Sequence, residues 1–268
     1  MPIRLNLPPT LAARIATSDR PQYGMWVCSG SAMNAEIAAG SGLDVVLIDA
    51  EHSPNSLESI LAQLYAVSAY PVAPLVRPPV GDPVLIKQYL DIGVQNLLIP
   101  MVDSAAQAAE MVRAVRYPPH GIRGIGSSLA RASRWNRVDG YLADASSTIT
   151  LFVQIESAAA VEAVEQIVAV EGVDGILMGP ADLAGSIGAL GQQDHPDVIE
   201  GVLRSIRAAR AVGKPAAVNA FVPAMADRYV AAGASLVLVG ADVSLLARSS
   251  EALADRYLGA HGADRASY

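Results

Sequence analysis

The chain has 268 residues, and its 19 Lys and Arg against 26 Asp and Glu leave a formal charge of −7. That balance excludes a phosphate-backbone binder, which needs a basic face to release counterions. With 52% hydrophobic and 17% charged residues, the chain is far from the signature of disorder and can bury a large core. Aromatics make up only 5%, so Ala, Val, Leu and Ile must build that core, a composition suited to parallel strands covered by Ala-rich helices. The single cysteine, Cys28, can form neither an intramolecular disulfide nor a cysteine zinc site, and the amino terminus, MPIRLNLPPT, lacks the apolar run of a signal peptide. A cytoplasmic location is expected, with no membrane or nucleic acid as partner.

In chain order, β-branched runs predict strands at 22–28, 44–49, 73–77, 96–101, 149–155, 174–178, 215–221 and 235–240. Helical patterns alternate with them near 32–40, 56–69, 83–92, 104–116, 157–170, 197–212, 224–232 and 244–258. Ser56 is placed to cap a helix, and Gly42, Gly93, Gly172, Gly213 and Gly233 each follow a helical pattern, the position where a chain leaving a helix turns left-handed. Eight alternations without a break in composition predict one α/β domain over 1–268, a closed (β/α)8 TIM barrel. An open doubly wound sheet is disfavoured by the strand count and by the missing Gly-x-Gly-x-x-Gly after the first strand. One connection is long: 118–137, PPHGIRGIGSSLARASRWNR, is expected to serve the site or a subunit interface. Residues 259–268 read as a polar tail.

In a barrel, reactive groups belong at the carboxyl ends of the strands. There the sequence places Asp49, Glu51 and His52 after the second strand and Arg77 at the end of the third. Glu156 ends the fifth strand, and Asp182 follows the sixth in GPADL. Taken singly, each has an ordinary explanation: an Asp after a strand caps a loop, an Arg forms a structural ion pair, and Glu156 caps a helix starting at Ser157. Taken together they predict a site. Glu156 and Asp182 form the best pair of metal ligands, because two carboxylates leave positions open for water and a chelating substrate, as Mg²⁺ or Mn²⁺ prefers.

His52 is the natural proton-transfer group, and Asp91, on the helix after Arg77, is a carboxylate able to orient it. Arg77, held extended by Pro78 and Pro79, is placed to stabilise an oxyanion. The glycine-rich stretch 121–128 offers amides to an anion but lacks a P-loop lysine. Met25, Met101 and Met178 are expected to be packing groups. The only lysines are Lys87, inside a helix, and Lys214, before the seventh strand on the opposite rim, so imine chemistry is not expected. Neither a serine elbow nor a paired Cys28 is signalled.

The segments LIDAEH (47–52), PLVRPP (74–79), DPVLIKQYLDIG (82–93), LLIPMV (97–102), RYPPHGIRGIGSSLARASRWN (116–136), VQIES (153–157) and EGVDGILMGPADL (171–183) occur in this order. From about 22 to 258 the chain resembles the metal-dependent class II pyruvate aldolases of the 4-hydroxy-2-oxoheptanedioate aldolase family. The resemblance implies a barrel of the phosphoenolpyruvate/pyruvate-binding type that reversibly cleaves a 4-hydroxy-2-oxo acid to pyruvate and an aldehyde through a metal-bound pyruvate enolate. It implies a divalent metal, Mg²⁺ or Mn²⁺ with Co²⁺ as an option, on Glu156 and Asp182, and no organic cofactor. His52 would be the base with Asp91 behind it, and Arg77 would stabilise the enolate. Gln154 and the backbone at Ala181 and Asp182 would hold pyruvate. Trp26, Asn219 and Phe221 lie where the aldehyde half would bind, and Asp49 would support the site. The family implies a homo-oligomer, a hexamer, in which neighbouring subunits complete the site. Ala50 stands where many relatives carry Gly. Two other readings remain open: an oxaloacetate decarboxylase using the same enolate, and a non-catalytic barrel that binds a small acid.

Overall fold

The computed structural model describes residues 3–259, so most of the expected polar tail, 260–268, lies outside the described residues. Eight parallel strands, β1 (Gln22–Val27), β2 (Val45–Asp49), β3 (Ala73–Arg77), β4 (Asn96–Ile99), β5 (Thr150–Ile155), β6 (Gly175–Met178), β7 (Ala216–Asn219) and β8 (Leu236–Ala241), pair in sequence order. The ring closes where β8 pairs with β1. The helices in chain order are α1 (Leu11–Ala16), α2 (Ala32–Ala39), α3 (Leu57–Val67), α4 (Pro83–Asp91), α5 (Ala105–Val115), α6 (Tyr141–Asp144), α7 (Ala158–Glu162), α8 (Val164–Ala169), α9 (Pro180–Ser186), α10 (Pro196–Ala211), α11 (Pro223–Ala232) and α12 (Asp242–Leu258). The expected barrel is therefore present, with boundaries shifted by a residue or two at most ends.

Three features were not anticipated. The helical pattern at 157–170 is broken into α7 and α8 around Ala163, and a short helix, α9, follows β6 directly. The third is α1, which closes the lower end of the barrel. Its Leu11 is fully buried in the barrel interior, and the Leu11 and Ala12 amides donate to Asn96 Oδ1 at 2.7 Å and Thr150 Oγ1 at 3.1 Å, at the first residues of β4 and β5. Ser56 caps α3 as expected, in a reciprocal capping box with Ser59. The five punctuating glycines all adopt positive φ, from 71° at Gly213 to 105° at Gly233.

Two side-chain rows explain where the core and the site sit. Strand residues alternate between faces. The even or odd set that faces inward packs Val45, Leu47, Ala73, Leu75, Leu98, Phe152, Leu177, Ala217, Leu236 and Leu238 into the barrel interior. The other set, including Val46, Ile48, Val76, Ile99, Val153, Ile155 and Val218, packs outward against the helices. Continuing the inward rows by two residues leads from Leu47 to Asp49, Leu75 to Arg77, Phe152 to Gln154 and Glu156, and Ala217 to Asn219. The polar groups are the top layer of the barrel filling.

The long connection opens with a cis Pro118–Pro119 bond and contains 3-10 turns at Ser127–Leu129 and Arg131–Ser133. It leaves Ile122, Ile125 and Leu129 exposed. α12 buries none of its residues and exposes Leu245, Leu246 and Leu253. Among the described residues, no helix is long and apolar enough to cross a membrane.

Candidate active site

A cavity of about 530 Å³ opens at the carboxyl ends of the strands. Asp49, His52, Arg77, Gln154, Ala181 and Asp182 line it, together with Trp26, Asn219 and Phe221. Its anchor is Arg77, only 5% exposed although charged. Arg77 Nε donates to Asp49 Oδ1 at 2.8 Å, Nη1 lies 2.9 Å from Glu51 Oε2, and the guanidinium stacks 4.3 Å from the centroid of the Trp26 ring. Nη1 also reaches Gln154 Oε1 at 3.4 Å. A buried guanidinium needs such pairing, and here the pairing fixes its direction as well.

Asp49 is 1% exposed and organises the loop after β2. It accepts from the Glu51 and His52 amides at 3.1 and 3.2 Å and from Ser53 Oγ at 3.2 Å. Burial works to raise its pKa, but the Arg77 guanidinium and these two amides outweigh burial and hold the carboxyl below its ordinary value. The turn delivers His52 to the mouth of the cavity, where its side chain is 67% exposed and Nε2 lies 3.9 Å from Glu51 Oε2.

Glu156 does not cap the following helix: Ser157 does so with its own side chain. Instead Glu156 Oε1 accepts from the Met101 amide at 2.7 Å, and Oε2 accepts from the Gln154 side-chain amide. Burial, and next the neighbouring charges of Asp182 and Glu51, push the Glu156 carboxyl up to about 7, against the pull of the Met101 amide. Met101 corrects an expectation. Met25 and Met178 are buried packing groups, but Met101 is 53% exposed and adopts φ 54°, a left-handed conformation that costs a non-glycine residue about 1 kcal/mol. The strained backbone aims an N–H at Glu156, which nothing in the residue type announces.

Gly179, at the exit of β6, is the second residue missed. A Cβ there would sit 2.9 Å from Gln154 Nε2 and 3.1 Å from Glu156 Oε2. Absence of a side chain at this point is what lets Glu156 and Gln154 occupy their places. Asp182 follows in the first turn of α9, exposed to the cavity.

The donor set fits a hard divalent cation. Glu156 and Asp182 supply carboxylate oxygens beside a third acidic group, and Glu51 Oε2 is a buried oxygen without an aligned hydrogen bond. Burial first, and the neighbouring acidic charges after it, raise both the Glu156 and the Glu51 carboxyls. Among the described residues no three His, Cys, Asp or Glu side chains form a closed cage. Two carboxylates with open positions are the arrangement Mg²⁺ or Mn²⁺ accepts.

One expected pairing does not occur within the chain. Asp91 is the last residue of α4, and a helix that leaves the top of β3 runs back toward the lower rim, so its end lies opposite His52. Asp91 instead pairs with Arg123 Nη2 at 2.9 Å, in a cluster where Arg123 stacks on Tyr117. Lys214 donates to the Val170 carbonyl, below the barrel and away from the cavity. Trp26 and Asn219 do meet, through a 2.9 Å hydrogen bond from the indole Nε1 to Asn219 Oδ1, with Phe221 beside them on the cavity wall.

Comparison with known proteins identifies relatives of this barrel. A hydroxypyruvate/pyruvate aldolase from Deinococcus radiodurans is 53% identical over 235 residues, spanning 88% of this chain and 85% of that protein. A 4-hydroxy-2-oxo-heptane-1,7-dioate aldolase from Shigella sonnei is 49% identical over 238 residues, spanning 89% of this chain and 91% of that protein. The crystal structure of an HpcH/HpaI aldolase/citrate lyase family protein from Burkholderia cenocepacia superposes with a TM-score of 0.88 at 38% identity, covering 92% of this chain and 98% of that one. The HpcH/HpaI aldolase/citrate lyase family matches residues 22–249, and with most of the barrel covered, the chain belongs to that family.

Proposed function

We propose that this aldolase reversibly cleaves a 4-hydroxy-2-oxo acid to pyruvate and an aldehyde, with Glu156 and Asp182 holding a divalent cation, Mg²⁺ or Mn²⁺. The observation that carries the reading is the buried, fully oriented Arg77 guanidinium facing the same cavity as Asp182, with Glu156 bonded to Gln154 of that cavity's wall. A divalent cation on that pair supplies Lewis acidity to the 2-oxo group of a chelating substrate.

The chain's own residues divide the remaining work. Gln154 and the backbone at Ala181 and Asp182 orient the pyruvate half. Arg77 cannot relax away, because Asp49, Glu51 and Trp26 hold it on three sides, so its charge is already in place when negative charge develops on the enolate oxygen. His52, at the open mouth, takes the proton of the 4-hydroxyl as the C3–C4 bond breaks; a proton delivered to C3 of the enolate then gives pyruvate, and the addition direction reverses both transfers. Trp26, Asn219 and Phe221 face the aldehyde half.

Asp91 supports His52 only if another copy of the chain presents it, since the two lie at opposite ends of one barrel. The exposed apolar residues of 118–137 and the uncovered α12 fit assembly into a homo-oligomer, which the family resemblance puts at six subunits. The test is direct. Protein stripped of metal and assayed with pyruvate and a panel of aldehydes should form carbon–carbon bonds only when Mg²⁺, Mn²⁺ or Co²⁺ is returned, and Glu156→Gln should abolish that rescue. Absence of metal-restored addition with every aldehyde refutes the reading, and CO₂ release from oxaloacetate alone would replace it with decarboxylation.

A further inference from the structure

A second cavity of about 400 Å³ lies between the loop before α10 and the start of α11. It shares two wall residues, Asn219 and Phe221, with the active-site cavity. Its lining is mostly apolar, with Met225 and Ala224 on α11, and among the described residues its only ionisable groups are Asp194 and the Tyr229 phenol. Tyr229 is 1% exposed, and its hydroxyl has no hydrogen-bond partner among the described residues. A buried phenol without a partner is uncommon in a settled core and points to a polar group arriving from outside the chain.

We propose that this cavity is a second chamber of the active site, receiving through the Asn219–Phe221 wall the distal end of an uncharged, chain-extended aldehyde whose terminal hydroxyl or carbonyl pairs with Tyr229. The inference rests on the aldolase reading and extends it to the character of the aldehyde. Wall sharing makes the two cavities neighbours: Asn219 and Phe221 line both, and Phe221 is only partly buried, so a shift of its side chain would join them. Apolar walls supply affinity for methylenes. Charge supplies the exclusion. Among the described residues of this chain no lysine or arginine lines the second cavity, the one guanidinium of the first is already shared between Asp49 and Glu51, and a carboxylate-terminated aldehyde would bring its charge beside Asp194. Burying an unpaired carboxylate there is strongly unfavourable.

The experiment measures kcat/KM for pyruvate addition by the Mn²⁺-loaded enzyme with acetaldehyde, hexanal, 6-hydroxyhexanal and 6-oxohexanoate. Parent enzyme should favour hexanal over 6-oxohexanoate by at least tenfold. Ala224→Trp fills the second chamber from an exposed position of α11. It should lower the hexanal value at least tenfold and leave acetaldehyde within twofold. Tyr229→Phe should erase the preference for 6-hydroxyhexanal over hexanal. Parallel changes for acetaldehyde and hexanal in Ala224→Trp, or equal use of hexanal and 6-oxohexanoate by the parent, overturn the proposal. Failure with acetaldehyde in the parent is a different result: it removes the aldolase reading and this inference with it.

Discussion

Gly179→Ala isolates the link between packing and the proposed metal pair. Gly179 has φ −102° and ψ 86°, which an alanine tolerates, so the whole effect is steric. An added Cβ lies 2.9 Å from Gln154 Nε2 and 3.1 Å from both Cβ and Oε2 of Glu156. Against an ordinary contact of about 3.5 Å, the Gln154 amide must retreat by roughly 0.6 Å and Glu156 by roughly 0.4 Å. Because what yields is mainly the ends of side chains, the cost in stability should stay near 1 kcal/mol, or about 2–4 °C in Tm. The same displacement moves the carboxylate proposed to hold the metal and the amide that braces it, and disturbing such support typically lowers metal affinity about 10- to 100-fold. Mn²⁺ titration by electron paramagnetic resonance, beside a thermal melt, separates the two effects. Affinity equal to the parent's would show that Glu156 does not need the space left by Gly179, and the steric reasoning would fall.

Arg77→Lys should reduce turnover at least 100-fold while Mn²⁺ binding persists, because an ammonium cannot bridge Asp49 and Glu51 and also stack on Trp26. Normal deuterium exchange into pyruvate in that variant would dismiss Arg77 from the enolate. For Arg77→Ala, the sign of the pH effect follows from Asp49, whose carboxyl is held low in the folded protein. That contribution is present above the ordinary carboxylate pKa of about 4 and is lost as pH falls through the depressed value. The gap in Tm between parent and variant should therefore be widest near neutrality and shrink toward pH 3. A gap that widens in acid would contradict the pairing. His52→Ala should cut aldol turnover across the pH range with no loss of Tm, since the ring is exposed; parental turnover would send the search for the base elsewhere. Cys28 faces the cavity, but burial, followed by the charge of Asp49, pushes its thiol up to about 11. Iodoacetamide should label it at least tenfold more slowly than free cysteine at pH 8, and fast labelling would refute the assignment.

Much of this architecture was legible before any coordinates. The eight strands announce themselves through β-branched runs, and glycines behind five of the helical patterns mark returns to the sheet. Arg77, Glu156 and Asp182 were readable as rim residues because a strand's last polar residue has few other places to be. What escaped has identifiable reasons. α1 is six residues long, and its value lies in long-range bonds to Asn96 and Thr150 that local propensity does not encode. Ala163 carries no helix-breaking signal, so the division between α7 and α8 was invisible. Met101 is a conformational effect rather than a compositional one: its function resides in an amide direction. Asp91 is instructive in another way, because proximity along the chain suggested a pairing with His52 that one chain does not make by itself. A helix carries its carboxyl end back across the barrel, and nine residues at 1.5 Å each are enough to move a side chain from one rim to the other.

The continuity of the inward rows gives the enzyme a built-in report on its own assembly. Arg77 sits two residues above Leu75 and Asp49 two above Leu47, so a one-residue slip of either strand would turn the charged group toward the helices and a valine or isoleucine into the cavity. Trp26 and Asn219 add the closing seam, since β1 and β7 are brought to either side of β8 only when the ring is complete. Circular permutants or split halves that recover helix content should thus remain inactive until the last pair of strands is in register. Turnover reads out correct closure of the whole sheet.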